Sequence, residues 1–167
     1  EQVPKELHAL ADRYWLHWHG APGGYSGVAL LLEKATFPEE PVFEIPALDF
    51  ETRVALARTS RGTLAVVYLP NGGKDYAAKI RFLEALGPWV EEESAKGPFL
   101  LAGDMNVTRA AIDVHPSQQD ESAMAQRPEE RALFEAALAR GGLTDLTRVK
   151  HPTDDRFFTW WPFWKGA

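Results

Sequence analysis

Cysteine is absent from these 167 residues, which excludes disulfide bonds and thiolate chemistry without fixing the compartment. Long apolar runs are absent too. None approaches the roughly eighteen uninterrupted apolar residues of a membrane span, and no basic-then-apolar export signal is visible. The expectation is a soluble, cytoplasmic protein with no membrane partner. Basic charge is in short supply: 18 Lys and Arg against 24 Asp and Glu leave a formal net charge of −6. That counts against a protein that coats nucleic acid non-specifically, a task that needs a basic face. It does not count against a nuclease, whose carboxylates gather around a cation while its rim stays basic. Neither a G-x-G-x-x-G fingerprint nor a Walker loop is present. What is present is globular: 45% hydrophobic and 11% aromatic residues, including six tryptophans. Such a length suits a single domain over 1–167, taken to be monomeric, with enough chain to bury a core.

The pattern alternates short strands with two longer helices. Pro4, Leu7, Leu10, Ala11 and Tyr14 have helical spacing, with the proline where a first turn tolerates it. Tyr14 to His19 alternates as a strand, and Gly27 to Leu32 is a continuous apolar run of the buried-strand kind. A Pro- and Glu-rich loop covers 37–46. Arg53–Thr59 and Thr63–Leu69, separated by Ser60-Arg61-Gly62, predict a hairpin. Asp75–Ala95 has helical periodicity through Ile80, Leu83, Leu86 and Val90, with Gly87-Pro88 expected to kink or divide it. Pro98–Ala102 is a further buried strand. Pro128–Arg140 opens on proline and two glutamates and stops at Gly141-Gly142, as a helix should. Arg156–Trp161 predicts a closing aromatic strand. The mixture suggests an α/β sandwich, with sheets covered by helices, rather than a doubly wound sheet.

Several residues are suited to chemistry. Asp104 and Asn106 follow Gly103 at the end of a buried strand, and alternation would set them on one face about 7 Å apart. A carboxylate beside an amide can orient a water, take its proton and hold a phosphate oxygen. The same pair equally suits a plain polar turn. Tyr68, before the Pro70-Asn71-Gly72 turn, can present a hydroxyl to an anion or simply pack its ring. His17 and His19 share a strand face; without cysteine, and with Trp18 between them, packing is the expectation ahead of zinc ligation. His115 sits in a polar loop. Lys74, Arg109, Arg127 and Arg156 lie on loops from which they can reach backbone phosphates or remain solvated.

Taken in order, these runs resemble a known family. Tyr68-Leu69-Pro70-Asn71-Gly72, then Gly103-Asp104-Met105-Asn106, then Phe158-Thr159-Trp160-Trp161 are similar to the exodeoxyribonuclease III and AP endonuclease family. That family belongs to the endonuclease/exonuclease/phosphatase superfamily. Gly24-Tyr25-Ser26-Gly27-Val28-Ala29, Ile112-Asp113-Val114, Glu129-Glu130-Arg131 and Gly142-Leu143-Thr144-Asp145 extend the likeness nearly end to end. The resemblance implies a DNase I-like fold, a four-layer sandwich of two mostly antiparallel sheets flanked by helices. It implies Mg²⁺- or Mn²⁺-dependent hydrolysis of phosphodiester bonds in double-stranded DNA, at abasic sites and 3′ ends.

Roles follow from the same likeness. Asp104 would activate the attacking water, Asn106 would position water and phosphate, and Tyr68 would contact the phosphate or the leaving oxygen. Glu1, with Asp104 and Asn106, would hold the metal; Gln2-Val3-Pro4-Lys5 departs from the family's run at this point. Asn71, Lys74 and Arg109 would contact substrate, and Trp160 would line the pocket for a base-free sugar, which an apolar wall suits better than an intact nucleotide. Pro162-Phe163-Trp164 stands where the family has Asp-Tyr-Arg. The family's Asn-x-Asn-Gly strand and its Ser-Asp-His segment are not within these residues, so the fold is expected to be incomplete at both ends. Inositol-phosphate or phospholipid hydrolysis on the same fold, and a non-catalytic binding module, are the competing readings.

Overall fold

A computed structural model describes residues 4–159. They divide into two compact units: one of residues 4–70 and 92–105, the other of residues 71–91 and 106–159.

The first unit carries the strands. A short helix α1 (Lys5–His8) precedes β1 (Tyr14–Gly20) and β2 (Gly27–Glu33), which pair antiparallel from Tyr14 opposite Glu33 to Gly20 opposite Gly27. A second sheet orders β3 (Val42–Glu44), β4 (Val54–Thr59), β5 (Gly62–Tyr68) and β6 (Phe99–Asp104) side by side. The β3–β4 and β4–β5 pairs are antiparallel, whereas β5 and β6 run parallel. β2 lies against β4 and β5, so the unit's core forms where the two sheets meet. Val54, Leu56, Val67 and Leu69 are all 0% exposed there. Continuous apolar β4 reads as a central strand buried on both faces, and its Val54–Ala57 run is buried throughout.

The second unit is built on α2 (Tyr76–Ala95, whose last turn falls in the first unit) and α3 (Pro128–Arg140), with a short α4 (Leu146–Lys150) after them. Asp75 starts α2 by accepting the Ala78 amide at 2.9 Å. Gly87 lets the helices approach, since a Cβ there would sit 3.6 Å from the Ala137 Cα and 3.3 Å from Arg140 Cδ. Among the described residues, no helix is long and apolar enough to cross a membrane.

Four sequence expectations change. The first helix stops at His8, and tight turns, Leu7 O to Leu10 N and Leu10 O to Arg13 N, carry the chain to β1. Inside the expected 37–46 loop, Val42–Glu44 adds an edge strand, tied to β4 by the Glu44–Arg58 ion pair at 2.8 Å. Pro88 does not divide α2, which continues from Tyr76 to Ala95. Pro88 and Glu84 are both on the exposed side, so the carbonyl that loses its partner faces water, while Phe82, Leu83, Leu86 and Val90 keep the opposite side buried. Residues 156–159 form no strand. Among the described residues their backbone has no strand partner; instead the Phe157 carbonyl accepts from Arg148 at 3.4 Å and the Phe157 ring stacks on His151.

The parallel β5–β6 pair depends on one missing side chain. Gly103, opposite Val67, has φ +126°, and a Cβ there would lie 2.0 Å from the Val67 carbonyl oxygen. Gly103→Ala should therefore destabilise the protein by on the order of 3 kcal/mol or more in chemical denaturation. A loss under about 1 kcal/mol would show that the pairing tolerates a side chain there.

Candidate active site

In the first unit, parallel pairing makes β5 and β6 end together, and the register sets Tyr68 directly beside Asp104. The Leu69 amide closes the end of the pair on the Asp104 carbonyl at 2.9 Å. Asp104 is exposed and Tyr68 half-buried at this end of the sheet. The alternation expected to carry on to Asn106 stops at Asp104, where β6 ends. Asn106 instead adopts a left-handed conformation, φ +47°, which asparagine tolerates better than most residues.

Tyr68 is fixed by a residue that the sequence reading passed over. Arg53 is 5% exposed; its guanidinium lies 4.9 Å from the Tyr68 ring centroid and donates to the Tyr68 carbonyl at 3.3 Å. Glu51 pairs with it at 3.1 Å. Asp49 orders the same loop, accepting the Arg53 and Val54 amides at 2.6 and 2.8 Å and meeting His19 Nε2 at 2.9 Å. Glu51 and Thr52 both have left-handed backbones, φ 56° and 57°, and Ser26 Oγ donates to the Glu51 carbonyl. The available signal was position: Arg53 is a cation placed immediately before four buried apolar residues.

His17 stacks on Phe43, ring centroids 5.0 Å apart, and on His19 at 6.5 Å. Burial, then the neighbouring His19, holds its pKa below the usual histidine value. This is packing, and His19 is occupied by Asp49. Among the described residues, no cluster of three or more His, Cys, Asp or Glu is arranged to hold a metal.

In the second unit, Asn71 and Asn106 converge on Lys79. Its Nζ donates to the Asn106 carbonyl at 2.8 Å and to the Asn71 carbonyl at 3.3 Å, and pairs with Glu130 Oε1 at 2.8 Å. The Asn71 side chain turns back to accept the Gly73 amide at 2.8 Å, so here it shapes the turn. Lys74 is exposed on the same turn. Arg109 is engaged within the protein, bonded to Glu135 at 2.5 and 2.9 Å and to Asp145 at 3.2 Å. Arg127 lies over the Tyr76 ring at 4.4 Å, Arg156 reaches Asp154 at 3.9 Å, and His115 bonds Ser117 at 2.8 Å. Glu1 and Trp160 fall outside the described residues.

A model of the endonuclease/exonuclease/phosphatase family matches residues 2–167, through both units. The chain belongs to that family. It is 27% identical to the exodeoxyribonuclease of Bacillus subtilis over 93% of this chain and 63% of that protein. A 3′ phosphatase from Neisseria, solved with a product DNA hairpin, superposes with a TM-score of 0.79 at 27% identity, covering 99% of this chain and 66% of that one. A 3′-5′ exonuclease from Neisseria meningitidis gives 0.81 at 28% identity, covering 98% and 64%. These matches bear out the resemblance read from the motifs and the α/β class of two sheets with flanking helices. The chain spans from about a quarter to three-fifths of the length of the curated relatives it matches.

Arg109 makes a pH-dependent contribution. Its hydrogen bonds hold the Glu135 carboxyl below the ordinary glutamate range. Burial pushes the Asp145 carboxyl up, but the Arg148 and Thr147 amides and Arg109 outweigh it and hold it low. Carboxyls depressed by folding stabilise above their unfolded pKa, and that contribution is lost as the pH falls through the folded value. The difference in thermal midpoint between wild type and Arg109→Met should be full at neutral pH and shrink below about pH 4. A difference that stays constant with pH would assign Arg109 to packing alone.

Proposed function

We propose that this protein hydrolyses phosphodiester bonds of double-stranded DNA, at abasic sites and at 3′ ends. One observation carries the reading: parallel pairing sets Tyr68 beside an exposed Asp104 at the end of the sheet. Relatives named as exodeoxyribonuclease and as apurinic or apyrimidinic site endonuclease support the choice of DNA.

Asp104 takes the proton of the attacking water, a task for an exposed carboxylate within reach of a bound phosphate. Asn106, two residues on, orients that water and the phosphate with its amide. Tyr68 donates its hydroxyl to a phosphate oxygen or to the departing 3′ oxygen, its ring kept in place by Arg53. By the family resemblance Trp160 would line the pocket for the base-free sugar, and Lys74, exposed on the Asn71 turn, would meet a backbone phosphate. In this reading water attacks the phosphorus directly, with no covalent intermediate on the protein.

The donors Asp104 and Asn106 are both oxygens, the chemistry preferred by a hard cation that keeps several waters, and Glu1 would add a second carboxylate. Mg²⁺ or Mn²⁺ bound there would supply neutralisation of charge on the phosphoryl and leaving oxygens.

Asp104→Asn should lower kcat/KM on a duplex with a single abasic analogue by about 10²–10⁴-fold while leaving thermal stability near wild type. Chelation of divalent metal should abolish incision by the wild type, and added Mg²⁺ should restore it. No incision, accompanied by turnover of an inositol phosphate, would move the protein to the family's phosphatase chemistry.

A further inference from the structure

Lys79 lies on the apolar stripe of α2, in helical step with Leu83, Leu86 and Val90, and is 0% exposed. An ammonium in such a place is costly unless each of its three N–H donors finds an acceptor. Here the carboxylate of Glu130, itself 0% exposed, lies 2.8 Å away and neutralises the charge, while the hydrogen bonds go to the carbonyls of Asn71 and Asn106. Glu130 is fixed in turn, its other oxygen accepting the Arg127 amide at 3.4 Å as α3 begins. The Lys79 methylenes pack below the Asn71 turn, where a Cβ on Gly72 would come within 3.0 Å of Lys79 Cδ.

Charge neutralisation alone would need only Glu130. The two carbonyls are the informative partners. They belong to separate loops, one following Tyr68 and the other following Asp104, and a single nitrogen bonds both. The Asn106 carbonyl leaves a residue at φ +47°, one of several conformations open to asparagine, so the bond from Lys79 selects among them.

We propose that Lys79, held by Glu130, is a positioning residue that fixes the Asn71 and Asn106 loops in their reactive geometry. The proposal rests on the nuclease reading for its kinetic consequences, but not for its structural ones. Lys79 touches neither substrate nor metal. It acts by bonding the backbone of Asn106, whose side chain does. Misplacing a group by about 1 Å at a distance from the chemistry is sufficient to cost about 10²-fold in rate.

The test is the double variant Lys79→Met/Glu130→Leu in the full chain. Apolar residues of similar volume replace a buried ion pair with little or no loss of stability. The expected result is a thermal midpoint within a few degrees of wild type, KM for the abasic duplex within about twofold, and kcat lower by about 10²-fold. The ¹³Cα and ¹⁵N resonances of Asn106 should also shift, while those of β4 and β5 stay in place. A stable double variant with wild-type kcat, or with unmoved Asn106 resonances, would overturn the proposal and leave the pair a purely structural element. On the unmodified chain, the Lys79 ammonium protons should exchange slowly and couple across hydrogen bonds to the carbonyl carbons of Asn71 and Asn106. Fast exchange without coupling overturns the proposal even if the double variant fails to fold. If the wild type cleaves no duplex, the nuclease reading fails while the resonance measurements still decide the role of Lys79.

Discussion

The parallel pairing of β5 with β6 is the constraint on which the rest depends. Antiparallel neighbours would end at opposite edges of the sheet, whereas parallel ones finish together. The price is a long crossover, which here includes all of α2. The pairing also needs a strand that tolerates close approach, and Gly103 provides it, leaving room for the Val67 carbonyl. Once those conditions hold, the register alone brings Tyr68 and Asp104 level.

Charged residues then do in the interior what hydrophobic packing cannot. Apolar burial is non-directional and holds β4 and β5 against β2 without fixing the loops beyond the strands. Those loops are fixed by directional bonds. Arg53 bonds the backbone of Tyr68, Asp49 caps the approach to β4, and Lys79 bonds the two asparagine carbonyls. Each of these groups is largely sequestered from water, where a hydrogen bond is both stronger and more costly to leave unmade.

Much of this was legible in the sequence, for identifiable reasons. β1, β2, β4 and β5 were visible because period-two or continuous apolar runs are bounded by Gly, Ser and Arg turns. α3 was visible because its proline, glutamates and glycines mark both ends. The unbroken α2 was not, because the cost of Pro88 depends on which way the freed carbonyl faces, and that is set by tertiary burial. The short β3 was hidden because a three-residue edge strand takes its stability from its neighbour rather than from its own pattern. For the site, Tyr68 and Asp104 were found through family motifs, whereas Lys79 and Arg53 have the appearance of ordinary surface cations. Their signal was a polar residue out of phase with its surroundings: Lys79 on an apolar helical stripe, Arg53 at the mouth of a buried strand.

The left-handed backbone at Asn106 also limits what selection can do there. Glycine, asparagine and aspartate occupy that region with little strain, and β-branched or bulky residues do not. Glycine brings no functional group, and aspartate would set a second negative charge two residues from Asp104. Asparagine alone satisfies the backbone and contributes a neutral amide. The position is therefore under two independent selective filters, one conformational and one chemical, and a lineage that abandoned DNA as substrate would still face the first of them.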